Sequence, residues 1–216
     1  MTFRKKHLQK KVRFISKIIA LSSLSIFLYS FSSGQSDTTS TDTAVSTPTT
    51  HALKRVAILP FDNLSGEPDA SKRITNIFLT QLFSKNKSFE VIELGEVEKA
   101  LIEERVRNTG EIEIATAKKL GEKLQADYLI LGSVVEYKFS RIGNNDLPII
   151  GVTSRAIDTQ SGLLIWSSHE YGRGNQREKV FGIGRIVSLS ELSEIIVKKL
   201  VDSFEKKILI ERYMKK

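Results

Sequence analysis

The sequence predicts an α/β fold in which a mixed, partly antiparallel sheet packs against helices in the order βαβααβββα. Short apolar runs bounded by turn-forming residues predict the strands, and apolar residues that recur at helical spacing predict the helices. The crossover between the first two runs is long enough for parallel pairing. With 216 residues, of which 40% are apolar, the chain is large enough for a domain with its own core.

In the first half of the domain, strands alternate with helices. The apolar run 55–60 predicts a buried strand, and turn formers over 61–68 predict a loop. A helix follows, with Asp69 or Ser71 as its cap and a buried face formed by Ile74, Ile77, Phe78 and Leu82. A second strand over 89–94, parallel to the first, precedes helices over 96–106 and about 112–124.

The second half is expected to be rich in strands and to end with a long helix. A third strand over 128–135 continues through Tyr137 and Phe139, and a polar loop is expected over 143–148. Strands over 149–157 and 163–171 are expected to pair antiparallel, with Gly162 at positive φ in their turn and Trp166 in the core. Ser188 and Glu191 form a capping box before a helix whose apolar face is Leu192, Ile196, Leu200, Phe204 and Ile208.

Residues 1–34 have the three parts of a bacterial secretory signal. Seven basic residues and no acidic one accompany an apolar run over 18–31, which small residues up to Gly34 follow. This order predicts cleavage between Gly34 and Gln35, then a Ser/Thr-rich linker over 35–53 and a folded domain over 54–216. An uncleaved membrane anchor is the alternative, although spanning a bilayer takes about 20 apolar residues.

Charge and composition exclude several classes of function. The net charge of +8 is concentrated in the signal region, and the remainder holds 26 basic and 25 acidic residues, so no nucleic-acid partner is expected. The sequence has no cysteine and three histidines far apart, which argues against a metal site or a histidine-based triad. No phosphate-binding glycine motif follows the first strand, and no cofactor is expected.

Two segments are candidate partner-binding surfaces. The loop after the first strand lies where α/β sheets commonly bind ligands, and its candidates are Phe61, Asp62, Asn63, Glu67 and Asp69. The alternative is that its polar residues only form turns and a helix cap. The second segment, 171–186, holds four glycines and three arginines, and its candidates are Arg173, Arg177 and Phe181. It is either a partner-binding loop or a solvated crossover.

Three segments of the folded domain are distinctive: VAILPFDNLSG at 56–66, ATAKKLGEKLQADYLILGSV at 115–134 and RAIDTQSGLLIWS at 155–167. In this order and spacing they resemble the family of the curli secretion protein CsgG. The resemblance implies a non-enzymatic periplasmic domain, associated with the outer membrane in some relatives, that acts in assembly or secretion by binding other envelope proteins or itself. Lipoprotein members carry a lipid-modified cysteine after the signal, where this chain has Gln35. Membrane contact is therefore expected only through an uncleaved N-terminus or a partner.

Two other functions remain open at this point. One is a subunit of an outer-membrane secretion channel, and the other is a hydrolase that uses Asp62 or Asp69. Channel members insert long amphipathic hairpins where this chain has only 140–148 and 168–187. Transmembrane strands need about 9–11 residues each, so the first segment cannot hold a pair. In the second, Arg173, Arg177, Glu178 and Lys179 interrupt the apolar alternation of a lipid-facing surface.

Overall fold

The computed structural model describes residues 53–143, 145–176 and 184–214. The predicted signal, its cleavage between Gly34 and Gln35, and nearly all of the predicted linker lie outside the described residues. The described elements are β1 Lys54–Ile58, β2 Asp62–Asn63, α1 Ala70–Phe83, β3 Phe89–Val91, α2 Leu94–Glu103, α3 Ile114–Leu124, β4 Tyr128–Ile142, β5 Asn145–Asp158, β6 Leu164–Arg173 and α4 Leu189–Met214.

The strands form one mixed sheet in the order β3-β1-β4-β5-β6. β1 pairs parallel with β3, as the length of the first crossover predicts, and it also pairs parallel with β4. β4, β5 and β6 pair antiparallel. The short strand β2 pairs with Ser133 and Val134 of β4, beyond the end of β1. The predicted α/β fold with a mixed sheet is confirmed.

Helices cover the two faces of the sheet unequally. Alternate residues of β1 point to opposite faces, so Val56 and Ile58 pack with α1 and α4, whereas Ala57 and Leu59 pack with α2 and α3. Among the described residues, the core under α2 and α3 reaches β5 only at Ile157. Farther along the same face, Thr153, Ser167 and His169 are partly or fully exposed. The part of this face that lies beyond Ile157 on β5 and β6 is therefore a polar surface.

The packing of α4 centres on Phe204. Its ring stacks on Phe89 at 5.1 Å and meets Trp166 and Tyr128 edge-on at 5.5 and 6.1 Å. The indole nitrogen of Trp166 donates to Ser203 Oγ at 3.1 Å. The predicted apolar face of α4 and the predicted core position of Trp166 are confirmed. Ser188 precedes the helix, and its hydroxyl accepts hydrogen bonds from the backbone N–H groups of the first turn.

Two predicted loops differ in the structure. The loop expected over 143–148 is wrong, because β4 continues to Ile142 and β5 already begins at Asn145. Pro148 sits inside β5, and its carbonyl accepts from Gly174 on the β6 side. Its missing N–H also faces that side, beyond the last β5–β6 pair at Ile149, so no ladder bond is lost. The loop expected over 61–68 contains β2.

The start of α1 also differs in detail. Asp69 occupies the N-cap position, as predicted, but its side chain makes no capping hydrogen bond. Its backbone carbonyl accepts from the Arg73 N–H at 3.0 Å. Among the described helices, none is both long enough and apolar enough to cross a membrane.

Candidate interaction surface

Asn63 organises the loop between β1 and α1. Its amide nitrogen donates to the Glu67 carbonyl at 2.7 Å, and its amide oxygen accepts from the Ser65 hydroxyl at 2.8 Å. Asp62 accepts from the Asn63 N–H at 3.0 Å. The side chain of Asn63 therefore makes its hydrogen bonds inside the loop, as expected if the polar residues of this segment only form turns.

Phe61 packs between this loop and the core, and it offers little surface to a partner. Its side chain is only 4% exposed, its ring lies 5.4 Å from Phe78, and it covers Gly132 on β4. Its backbone N–H donates to the buried hydroxyl of Thr75 at 3.0 Å. The surface of the loop is formed by Leu64 and by the exposed candidates Glu67 and Asp69.

The second predicted segment is described only in part. Arg173, at the end of β6, is exposed, and its Nε donates to the Tyr171 hydroxyl at 2.7 Å with the guanidinium 5.5 Å from the ring centre. This hydrogen bond raises the pKa of Arg173. Arg177 and Phe181 lie outside the described residues.

The structure does not join the two candidate segments into one site. Asn63 is in register with Val134 of β4, Val152 of β5 and Glu170 of β6, so two strands separate the loop from β6. At ordinary strand spacing these three steps amount to about 14 Å or more. Any partner that contacts both segments must therefore extend across β4 and β5.

A third surface, which the sequence patterns did not reveal, lies between the segment before α3 and the β5–β6 turn. It is a groove of about 650 Å³ lined by residues 111–114, Arg155, Ile157 and residues 162–164. We call it the hairpin groove. Ile114, Leu163 and Leu164 are 60%, 64% and 59% exposed along it. These three side chains form an apolar surface that the core does not cover.

Local contacts hold the two walls of the hairpin groove together. The Arg155 guanidinium donates to the Gly110 carbonyl, which fixes the segment before α3 over β5. Gly162 has φ +78°, as predicted, and lies against Ile114 and Lys118. Glu111 and Glu113 are exposed at the rim, and within the described residues neither carboxylate has a hydrogen bond or an ion pair.

The one sequence signal for this groove is the adjacent pair Leu163 and Leu164. A strand with one solvated face alternates apolar and polar residues, so two consecutive leucines between a turn and a strand indicate that an apolar side chain is left exposed there. The pattern does not show that residues 111–114 lie opposite, because the two segments are far apart in sequence. Among the described residues, no group of three or more His, Asp and Glu side chains could hold a metal ion.

Comparison with known proteins identifies the family. The family model described as "Curli production assembly/transport component CsgG" matches residues 37–204. The chain belongs to the CsgG family. The match includes all three segments that carry the resemblance in the sequence. Membership relates the chain to proteins of cell-envelope assembly and secretion. No curated protein matches the sequence significantly.

Solved structures are similar to this chain at low sequence identity. The hypothetical protein CT253 of Chlamydia trachomatis is 15% identical, with a TM-score of 0.52 over 73% of this chain and 98% of that chain. Lipoprotein GNA1162 of Neisseria meningitidis is 18% identical, with a TM-score of 0.50 over 69% and 99%. The PelC dodecamer of Paraburkholderia phytofirmans is 19% identical, with a TM-score of 0.49 over 70% and 88%.

Proposed function

We propose that this protein is an exported, non-enzymatic component of cell-envelope assembly or secretion. It acts through protein contacts, either with other envelope proteins or with further copies of itself. Membership of the CsgG family over residues 37–204 carries this proposal, because the match spans most of the domain that the sequence predicts. No cofactor is part of the proposed activity.

The hairpin groove supports a function in protein binding. On the surface of a soluble protein, an apolar patch with a polar rim is typical of a site of protein interaction. Ile114, Leu163 and Leu164 form such a patch, and Glu111 and Glu113 form its rim. The predicted loop surface at Leu64, Glu67 and Asp69 is a second contact candidate, beside the place where β2 pairs with Ser133 and Val134 in the middle of β4.

The proposed location follows from the sequence of the N-terminus. A cleaved signal ending at Gly34 delivers the chain to the periplasm, and Gln35 offers no thiol for a lipid. In this proposal, outer-membrane association comes from a partner protein. The Ser/Thr-rich residues 35–53 then form the N-terminal part of the mature chain.

Cross-linking in cells tests the proposal. The full chain, tagged at its C-terminus, is expressed in the native bacterium, cross-linked, purified and sized, and its partners are identified by mass spectrometry. We expect assemblies that contain other envelope proteins or several copies of the chain. Leu164→Arg should reduce their yield, whereas the matched control Ile102→Arg, at a 77% exposed position on α2, should not. Recovery of only the uncross-linked monomer would contradict the proposal.

A further inference from the structure

A second exposed apolar surface lies at the end of α4. Beyond the buried Ile208, the side chains of Ile210, Tyr213 and Met214 are 45%, 76% and 81% exposed. Lys206 is exposed one turn before Ile210, so it lies on the same side of the helix. We call Lys206, Ile210, Tyr213 and Met214 the α4 tip. It is an apolar surface with a basic residue beside it.

The α4 tip and the hairpin groove lie at opposite edges of the sheet. α4 begins over β6, where Leu192 and Ile196 cover Gly172, and it crosses to β3, where Phe204 stacks on Phe89. Near its end, the Arg212 guanidinium donates to the Ser88 carbonyl at 3.4 Å. The hairpin groove lies beside the β5–β6 turn, on the side of the sheet that carries α3.

This placement keeps the two surfaces of one domain apart. β3 and β6 are the two edges of the sheet, and α3 and α4 pack on its two different faces. The α4 tip of one domain therefore cannot occupy the groove of the same domain. It is placed to meet the groove of another molecule.

The two surfaces are complementary in charge as well as in polarity. The groove presents exposed Glu111 and Glu113 at its rim, and its Arg155 is directed to the Gly110 carbonyl. The α4 tip presents Lys206, and the sequence continues after Met214 with Lys215 and Lys216. Opposite charges around an apolar contact favour encounter and fix its orientation.

We propose that the α4 tip of one copy binds the hairpin groove of a second copy. The proposal rests on the proposed function and specifies its self-association. Because the two surfaces differ, the contact is head-to-tail, and each bound copy keeps one free tip or one free groove. Repetition of the contact builds a ring where the geometry closes and a linear chain of copies where it does not.

Sedimentation velocity on the purified full chain tests this contact. Leu164→Arg places a charge in the groove, Tyr213→Glu places one on the α4 tip, and Ile102→Arg is the control on another exposed surface. We expect wild type and the control to sediment as oligomers and each of the other variants as a monomer. Matched thermal unfolding curves show that the variants are folded.

A mixture of the two interface variants is the decisive measurement. The Tyr213→Glu copy keeps an intact groove, and the Leu164→Arg copy keeps an intact tip, so one contact forms between them and no other. We expect dimers in the mixture and nothing larger. A mixture that stays monomeric, or a single variant that keeps the wild-type size, would overturn the inference.

Cross-linking in cells separates failure of this inference from failure of the proposed function. If Leu164→Arg loses envelope partners while Tyr213→Glu keeps them, another protein occupies the groove, and the self-contact is wrong while the proposed function stands. If wild type forms no assembly at all in cells, both proposals are wrong.

Discussion

Gly162 connects backbone geometry to the walls of the hairpin groove. Its φ of +78° is costly for any residue with a Cβ, and a Cβ at this position would collide with Ile114 Cγ2. We expect Gly162→Val to destabilise the domain by about 1 kcal/mol or more, measured as a lower urea midpoint. An unchanged midpoint would show that the turn accommodates a β-branched residue without strain.

Gly95 is the matched control for this prediction. It lies in the first turn of α2, it has no positive φ, and a Cβ there would meet nothing within 4 Å. Gly95→Ala should therefore leave the urea midpoint unchanged or raise it slightly, since alanine loses less conformational freedom than glycine when a helix forms. Equal losses in the two variants would point to a general effect of glycine replacement.

Phe204 is the residue whose loss should cost the core most. It is fully buried and contacts the rings of Phe89, Trp166 and Tyr128. Phe204→Ala should lower the free energy of unfolding by about 3–5 kcal/mol, because it leaves a cavity among three aromatic side chains. Ile210→Ala, on the exposed end of the same helix, should change it by less than about 0.5 kcal/mol in the same denaturant titration.

At the scale of elements, an ion-pair cluster ties the end of α1 to α4. Lys85 Nζ lies 2.7 Å from both Asp202 and Glu205, and the Ser88 hydroxyl donates to Glu205 at 2.7 Å. Desolvation acts to raise the pKa of both carboxyl groups, but hydrogen bonds from lysine and serine outweigh it and leave both pKa values below the ordinary range. Hydrogen bonds to Asp202 and Glu205 raise the pKa of Lys85.

These shifts predict how the cluster responds to acid. A carboxyl group whose pKa is lower in the folded state stabilises the fold above its ordinary pKa, and that contribution is lost as the pH falls through the folded-state value. The difference in unfolding free energy between wild type and Lys85→Met should therefore shrink as the pH falls from about 5 to about 3. Lys207→Met, which breaks only the pair with Glu211 on the surface of α4, is the control. A difference that is constant over this range would contradict the prediction.

The elements that were predicted well have strong, regular patterns. The apolar face of α4 repeats at helical spacing over many turns, and the β5–β6 turn carries the glycine that its backbone needs. The strand β2 was missed because Asp62 and Asn63 are turn formers, and tertiary pairing with β4 decides their conformation. The start of β5 was missed because asparagine, aspartate and proline weaken a strand pattern, and pairing with a long β4 outweighs that preference.

At the scale of the whole molecule, the sequence could predict the family and the layers but not the groove. The sequence pattern points to the loop after β1 because that loop is rich in polar residues. In the structure, however, the amide of Asn63 makes its hydrogen bond inside the loop, and Phe61 is buried. The groove exists because α3 packs on the face of the sheet that lies beside the β5–β6 turn. This packing brings Ile114, at the start of α3, against Gly162 in the turn. A pattern within one segment carries no information about such a long-range contact.

Cleavage of the N-terminal signal decides whether these surfaces belong to a free protein or to one that is tethered to the membrane. Basic, apolar and small residues follow one another up to Gly34, and the sequence has no cysteine for a lipid, so we expect the mature chain to begin at Gln35 without modification. Mass spectrometry of intact protein from the cell envelope, with sequencing of its first peptide, measures this. Gly34→Leu should retain the signal, because the protease that removes it requires a small residue before the cut. Detection of Met1 in the mature wild-type protein would instead mean that the apolar run stays in place and anchors the domain through its linker.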